Sequence, residues 1–374
     1  MSGPTPLSLY IHIPFCKSKC AYCDFASFPG REAMWEAYFA ALCGEIRAAK
    51  DDIHRVETVF FGGGTPSVVP EKHIAAALAA AREAFPFAPG AEVSLEANPG
   101  TLTMEKLRAY REMGVNRLSI GVQSFDARLL RDIGRIHTPG EAVEAVRMAR
   151  EAGFVNIGID LMYGLPGQDV PTWEATLKTA VSLPLKHVSA YALIVEAGTP
   201  MAAREGELPG EEATLAMQRL GTRALAAAGF ARYEISNYAR SGFACRHNAV
   251  YWRRGEYLGF GCAAHSFFAG ERFCNPSHLE DYLRGARRVA RERVDGEAAR
   301  EETLMLSTRM CEGLSLGRWR EEFGEDFRAG REGALERLAR AGLLEVCNGR
   351  LRLTERGMEV HNAVVLELLC AGAG

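Results

Sequence analysis

Six short runs rich in β-branched and aromatic residues punctuate the first half of the chain: Leu7–Ile13, Thr58–Phe61, Glu92–Glu96, Arg117–Val122, Asn156–Met162 and His187–Leu193. Between them apolar residues recur at helical spacing, over Ala33–Ala49, Glu71–Ala84, Met104–Met113, Gly140–Ala152 and Pro171–Leu183. A further amphipathic stretch, Glu211–Ala228, follows the sixth run. Strand–helix alternation of this kind predicts parallel βαβ units. Right-handed crossovers curl six such units into an open barrel or a doubly wound sheet, and periodicity alone does not choose between them.

From about Arg232 to Pro276 the alternation stops, and the chain turns aromatic and glycine-rich around Cys245–Trp252 and Gly259–Ser266. After Leu279 it becomes helical and arginine-rich. The end reads helix, helix, hairpin: Leu314–Phe323, Ala334–Ala341, then two alternating runs, Gly342–Val346 and Arg350–Thr354, around Asn348-Gly349. Asn-Gly between alternating apolar residues is a hairpin signal, and the whole pattern is similar to a winged helix. The expected division is an α/β unit over 1–231, a connecting segment over 232–278 and a small α+β unit over 279–374.

Composition narrows the function classes. The chain has 374 residues, is 48% hydrophobic and carries a formal net charge of -3, so it offers no general polycation for nucleic acid. The arginines at 284, 287 and 288 are interleaved with acids, which argues against a nucleic-acid partner. No apolar run approaches the ~20 residues of a membrane span, and Met1–Pro6 lacks the basic and apolar parts of a signal peptide. Ten cysteines without a disulfide-scaffold pattern fit a reducing cytoplasm. Seven of them (Cys43, Cys245, Cys262, Cys274, Cys311, Cys347 and Cys370) are expected to be small buried hydrophobes.

The other three, Cys16, Cys20 and Cys23, follow the first strand with spacing Cys-x3-Cys-x2-Cys. Three is an awkward number. Structural zinc wants four ligands, and His12 or Cys43 would have to complete the set. Disulfides want pairs. Three thiolates can hold three irons of a [4Fe-4S] cluster and leave one iron open to a small chelator. Unusual residues also sit where the other strands end: Gly62-Gly63-Gly64-Thr65-Pro66-Ser67, Glu96-Ala97-Asn98-Pro99-Gly100, Gly121-Val122-Gln123-Ser124 and Asp160 through Gly167. A parallel barrel gathers such ends around one mouth. The glycines allow close backbone approach to a ligand or simply a tight turn; a third glycine for dinucleotide binding is missing. Glu96 at the end of an apolar strand needs a cationic or hydrogen-bonding partner. Gln123 and Asp160 hold equivalent positions, and Arg135 can meet a carboxylate bidentately. For each of these four, capping or ion pairing is the plainer role.

The cysteine spacing resembles the radical S-adenosylmethionine (SAM) superfamily. That resemblance implies a partial (β/α)6 barrel over roughly the first 230 residues. It also implies a [4Fe-4S] cluster whose open iron is chelated by SAM, with reductive cleavage of SAM to a 5′-deoxyadenosyl radical. With the motifs Ile11–Cys16, Gly62–Pro66, Glu96–Pro99, Ser119–Ser124 and Asp160–Pro166, the chain is similar to the oxygen-independent coproporphyrinogen III oxidase family. The family's SAM positions fall on Tyr10, Gly63, Gly64, Thr65, Glu96, Gln123, Arg135 and Asp160. Two departures matter. Phe25 stands where the oxidases carry a further cysteine, and the chain enters its first strand by residue 7 without their longer arm. Both resemble the heme chaperone branch of that family, whose His-Asn-x-x-Tyr-Trp motif is present as His247–Trp252. This implies heme binding, with His247 as iron ligand, Tyr251 and Trp252 beside the porphyrin, and His265 as an alternative ligand. It implies delivery to apo-hemoproteins of the respiratory chain, with peripheral membrane contact. The competing expectation is an oxidative decarboxylase of porphyrinogen propionates, and the sequence leaves open whether SAM is cleaved.

Overall fold

Successive side chains of a strand point to opposite faces, and the first strand, β1 (Pro6–Ile13), uses the two faces differently. Leu7, Leu9, Ile11 and Ile13 join the main core with Tyr38, Leu42 and Ile46 of helix α1 (Trp35–Ala48). Each such side chain contributes roughly 1.5–3 kcal/mol on burial, so this face holds the helices on. The alternate positions Ser8, Tyr10 and His12 point the other way and make polar contacts inside the curved sheet. The computed structural model describes residues 5–372. Met1–Pro4, part of the N-terminal stretch read above, and the last two residues lie outside the described residues.

All six expected strands form: β1, β2 (Arg55–Gly63), β3 (Phe87–Ala97), β4 (Arg117–Gln123), β5 (Asn156–Tyr163) and β6 (His187–Ala192). They pair in parallel in that order. The crossovers are α1, α2 (Glu71–Ala84), α3 (Met104–Met113), α4 (Ala127–Asp132), α5 (Pro139–Glu151) and α6 (Val170–Ser182), followed by α7 (Glu211–Ala227). Local chemistry fixes their ends. Thr103 caps α3 and Gly114, at φ 102°, ends it; Thr138 and Glu141 form a reciprocal capping box on α5. Short α4, capped by the Asp126 side chain, is not visible as a helical period.

The 232–278 segment does more than connect. It supplies β7 (Ala231–Glu234) and β8 (Asn237–Ala239) beyond β6, then helix α8 (Arg246–Trp252). It then supplies β9 (Tyr257–Phe260), which pairs in parallel with β1 on the opposite side of the sheet. β10 (His265–Phe268), β11 (Glu271–Cys274) and, after helix α9 (Leu279–Leu283), β12 (Ala290–Arg293) extend that side antiparallel. The sheet order is β12-β11-β10-β9-β1-β2-β3-β4-β5-β6-β8-β7. Hydrogen bonding therefore runs through the expected division at residue 278. Strands of four residues are too short to show a period, and their partners lie far away in sequence.

The C-terminal unit contains α10 (Gly296–Arg309), β13 (Leu314–Ser315), α11 (Leu316–Phe323), α12 (Glu332–Arg340) and the hairpin β14 (Leu344–Cys347) and β15 (Arg350–Leu353). Leu314 and Ser315, read as the start of a helix, pair with β15 instead, and the Ser315 hydroxyl caps α11. Trp319, Phe327, Leu338 and Leu351 centre a second core. Fully buried Glu234 on β7 pairs with Arg309 of α10 at 3.1 Å and ties the two units together. Among the described residues no helix is long and apolar enough to cross a membrane.

Candidate functional site

The cysteine loop leaves β1 and is closed at its base by a two-residue parallel pairing of Phe15–Cys16 with Phe28–Pro29. Within it the Cys23 amide donates to the Cys20 carbonyl at 3.2 Å, and Ala21 is bonded to Ile133 and Met201. Cys16, Cys20 and Cys23 line one cavity together with Gly63, Gly64, Thr65, Glu96, Gln123, Arg135 and Asp160. Every expected SAM residue except Tyr10 thus lines this cavity beside the cysteines. Among the described residues no set of three or more His, Cys, Asp or Glu side chains is drawn close enough to hold a metal as they stand. The cysteines are half-buried and unpaired in disulfides. Burial pushes the Cys16 and Cys23 thiols above the ordinary value.

The residues fit an iron–sulfur cluster and its chelator on several counts. Arg135 is half-buried, places Nη1 3.6 Å from Cys20 Sγ and has no ion pair among the described residues. Its Nη2 donates to the Gly121 carbonyl, and its buried Nε has no partner. A positive charge beside the thiols, in no ion pair with the cavity's two carboxyls among the described residues, suits an anionic thiolate-ligated cluster. Among the described residues Glu96 accepts only from the Gly63 amide, at 3.3 Å. Burial first, and then neighbouring Asp160, push its carboxyl up to about 8. Burial also raises Asp160, which accepts from Ser119 Oγ at 3.2 Å. Neither carboxyl forms an ion pair among the described residues, which suits an incoming ammonium group. Gly63, at φ 110°, leaves no room for a side chain, since a Cβ would lie 2.5 Å from His12. At Gly64 a Cβ would meet the Phe15 carbonyl at 2.7 Å. The glycines thus serve close approach to the cysteine strand, with the Gly64 and Thr65 amides bonded to Ile13 and Phe15.

The β4 register shifts between Gly121 and Gln123, and Gln123 adopts φ 67°. Such bulges re-aim a side chain; here Gln123 accepts from the Tyr191 hydroxyl at 3.0 Å. Ser119 and Tyr191 escaped sequence reasoning, although both hold inward strand positions near motif residues. The zinc alternative loses both of its fourth ligands. His12 is engaged at both nitrogens, by the Tyr10 hydroxyl and the Ala26 carbonyl, each at 2.9 Å. Cys43 is buried in the core on α1. Of the remaining cysteines Cys245 and Cys262 are buried as expected, but Cys274, Cys311 and Cys347 are only half-buried. Cys370 is exposed, because it ends the chain's last helix rather than facing a core.

A second cavity, about 560 Å³, adjoins the first and shares Phe25 and Gly63 with it. Phe25 is 61% exposed, an apolar ring left between two openings. The groove is aromatic: Tyr10, Tyr251, Trp252, Tyr257 and Phe267 line it, with Arg254, Arg272 and His265. Tyr251 and Trp252 reach it from α8. His247 does not. It is 0% exposed and lines neither cavity. Its Nδ1 meets Thr58 Oγ1 at 2.7 Å and its Nε2 the Tyr251 hydroxyl at 2.8 Å. Since Thr58 donates to Ser8, Nδ1–H donates to Thr58 and Nε2 accepts from Tyr251. Burial holds the imidazole neutral, with its pKa lowered to about 3. The ring stacks on Phe60 at 5.1 Å, and Phe60 in turn on Tyr10 at 6.4 Å. In this arrangement His247 has no free nitrogen for a heme iron; it fixes Tyr251 instead. Arg254 and Arg272 carried no sequence signal, as they belong to a turn and a short strand.

The model of the Radical SAM superfamily matches residues 10–180, and that of the HemN C-terminal domain matches residues 294–360. The protein named heme chaperone HemW in Mycobacterium tuberculosis is 38% identical, over 97% of this chain and 95% of the relative. Its namesake in Bacillus subtilis is 36% identical, over 96% and 97%. That in Escherichia coli is 41% identical, over 70% of each. Among solved structures, coproporphyrinogen III oxidase (HemN) from Escherichia coli, described as a radical SAM enzyme, superposes with a TM-score of 0.86 at 25% identity. The match covers 98% of this chain and 90% of that one.

Proposed function

The chain belongs to the radical SAM superfamily and, within it, to the heme chaperone HemW family, and we propose that it binds heme and passes it to apo-hemoproteins. The observation that carries this reading is the pair of adjoining cavities: a thiol-lined one at the strand ends and an aromatic one large enough for a flat cargo, within the roughly 300–1,000 Å³ typical of small-molecule sites. Cys16, Cys20 and Cys23 hold three irons of a [4Fe-4S] cluster. Glu96, Gln123, Asp160 and the Gly63–Thr65 turn hold SAM, with Tyr10 behind them. Such a cluster supplies an electron and an open iron for chelation. Arg135 balances the negative charge, and its contact with Cys20 keeps that sulfur oriented. Glu96, protonated near neutrality as the cavity stands, can yield its proton when an ammonium group enters beside it.

Heme lies in the aromatic groove against Tyr251 and Trp252, whose flat rings offer apolar area with polar tips. His247 holds Tyr251 from behind. The exchange takes place in the cytoplasm, and recipients of the respiratory chain are reached by peripheral contact with the membrane.

Porphyrinogen decarboxylation is the weaker reading. Phe25 stands where the family resemblance implies a further cysteine in the oxidases, and it lines both cavities. The test is an anaerobic assay with reconstituted protein, SAM and reductant. Heme-loaded protein should give up its heme to an apo-cytochrome, while coproporphyrinogen III added in parallel stays intact. Formation of protoporphyrinogen, or no heme transfer, would overturn the proposal.

A further inference from the structure

Three histidines lie in or beside the aromatic groove, and they differ in what their nitrogens already do. His12 lines it, but its nitrogens are bonded to Tyr10 and Ala26. His247 stands behind the wall with both nitrogens engaged. His265 lines the groove, is exposed, and its imidazole makes no hydrogen bond or ion pair among the described residues. We infer that His265 is the residue that ligates the iron of bound heme, and that Arg254 and Arg272 receive its propionates. This rests on the heme reading above and deepens it.

His265 is rigidly presented. It opens β10 after a turn in which Gly261 and Ala263 both have positive φ, 101° and 59°. The turn is pinned by Ala263 N to Pro276 O and Asn275 N to Ala264 O, both 2.9 Å. β10 is pressed so closely on β9 that a Cβ at Gly259 would come 2.0 Å from the His265 carbonyl. A fixed backbone beneath the side chain lowers the ordering cost of ligation. A neutral imidazole with a free nitrogen is a good axial ligand. No cysteine or methionine lines the groove to compete.

The charges match the cargo. The groove lining holds two arginines and no carboxylate side chain. Both guanidiniums also face the Phe267 ring, at 5.6 and 5.7 Å, so they flank one flat apolar surface. Arg272 is anchored from behind by Glu302 at 2.5 and 2.9 Å, and Arg254 by Glu322. A guanidinium has five donors, so each keeps some for a ligand carboxylate. Heme carries two such groups beside an apolar disc.

The experiment is a hemin titration of the anaerobically reconstituted full chain, read by its Soret band and by electron paramagnetic resonance. The wild type should show an imidazole-ligated spectrum. His265→Ala should lose that signature, bind about tenfold more weakly, as expected for loss of one strong contact, and regain the signature when free imidazole is added. His247→Gln should keep the imidazole-type band position, whatever its affinity. Arg272→Ala and Arg254→Ala should weaken hemin but not its dimethyl ester, in which the propionates are blocked. A wild-type spectrum in His265→Ala, or equal losses for hemin and ester, would overturn the inference while leaving heme binding in place. A wild type that gives no band at all would remove the heme reading itself, and this inference with it.

Discussion

The two cavities at the barrel mouth share Phe25 and Gly63 yet are built on opposite principles. The first is polar and enclosed, with thiols, two carboxyls and a guanidinium whose charges are incompletely matched. The second is broad and aromatic, with its arginines already paired from behind by Glu302 and Glu322. An enclosed site with unmatched charge is poised for a cofactor that supplies the missing charges and stays. A broad apolar groove gains from burial, which is non-directional and suits a cargo that must leave. The contrast separates holding from carrying, and the shared wall is where one can sense the other.

Removing one thiol should break the comparison most sharply. Cys20→Ser should lower iron and sulfide from about four each per chain to near none by chemical analysis, while hemin still binds the groove. Loss of hemin binding as well would show that the cavities are one site. The next largest effect belongs to the shared wall. Gly63→Ala forces a side chain onto φ 110° and into His12. It should destabilise the protein by about 2 kcal/mol or more in denaturant titrations. An unchanged midpoint would show that the wall yields.

Glu96 sharpens the polar side. Its folded pKa of about 8 lies above the unfolded value of 4.5. Between those values the unfolded chain has released a proton that the folded protein retains. Stability of the cluster-free protein therefore falls as pH rises through this window and levels off above it. Glu96→Gln cannot ionise, so it should lose a slope worth on the order of a few kcal/mol and bind SAM more weakly in the reconstituted protein. Parallel stability profiles for the two proteins would contradict the buried-carboxyl account. The smallest effect concerns support of the groove. Thr58→Val removes the partner of His247 Nδ1. It should lower stability by about 1–3 kcal/mol and loosen Tyr251, visible as weaker hemin binding with an unaltered cluster.

The same contrast explains what could be read from the chain. Gly63, Glu96, Gln123 and Asp160 lie toward the C-terminal parts of strands of clear period and Cys16 just after one, and parallel pairing brings such positions together without further information. Much of the cluster cavity was therefore legible, though not the supporting Ser119 and Tyr191. The groove depends on β9 crossing the molecule to lie beside β1, on a turn that presents His265, and on Leu306 from α10. None of these is a local pattern. The motif His247–Trp252 was legible as a motif, but a seven-residue helix shows only two of its side chains to the groove. That His247 has no free nitrogen depends in part on Thr58, far away on β2.

The claim on which the first cavity rests is an iron–sulfur cluster held by three cysteines with one iron left to a chelator. Mössbauer spectroscopy of the anaerobically reconstituted protein tests it directly. Adding SAM should change the signal of one iron in about four and leave the others as they were. A spectrum indifferent to SAM, or a reconstituted protein that holds metal without sulfide, would contradict it.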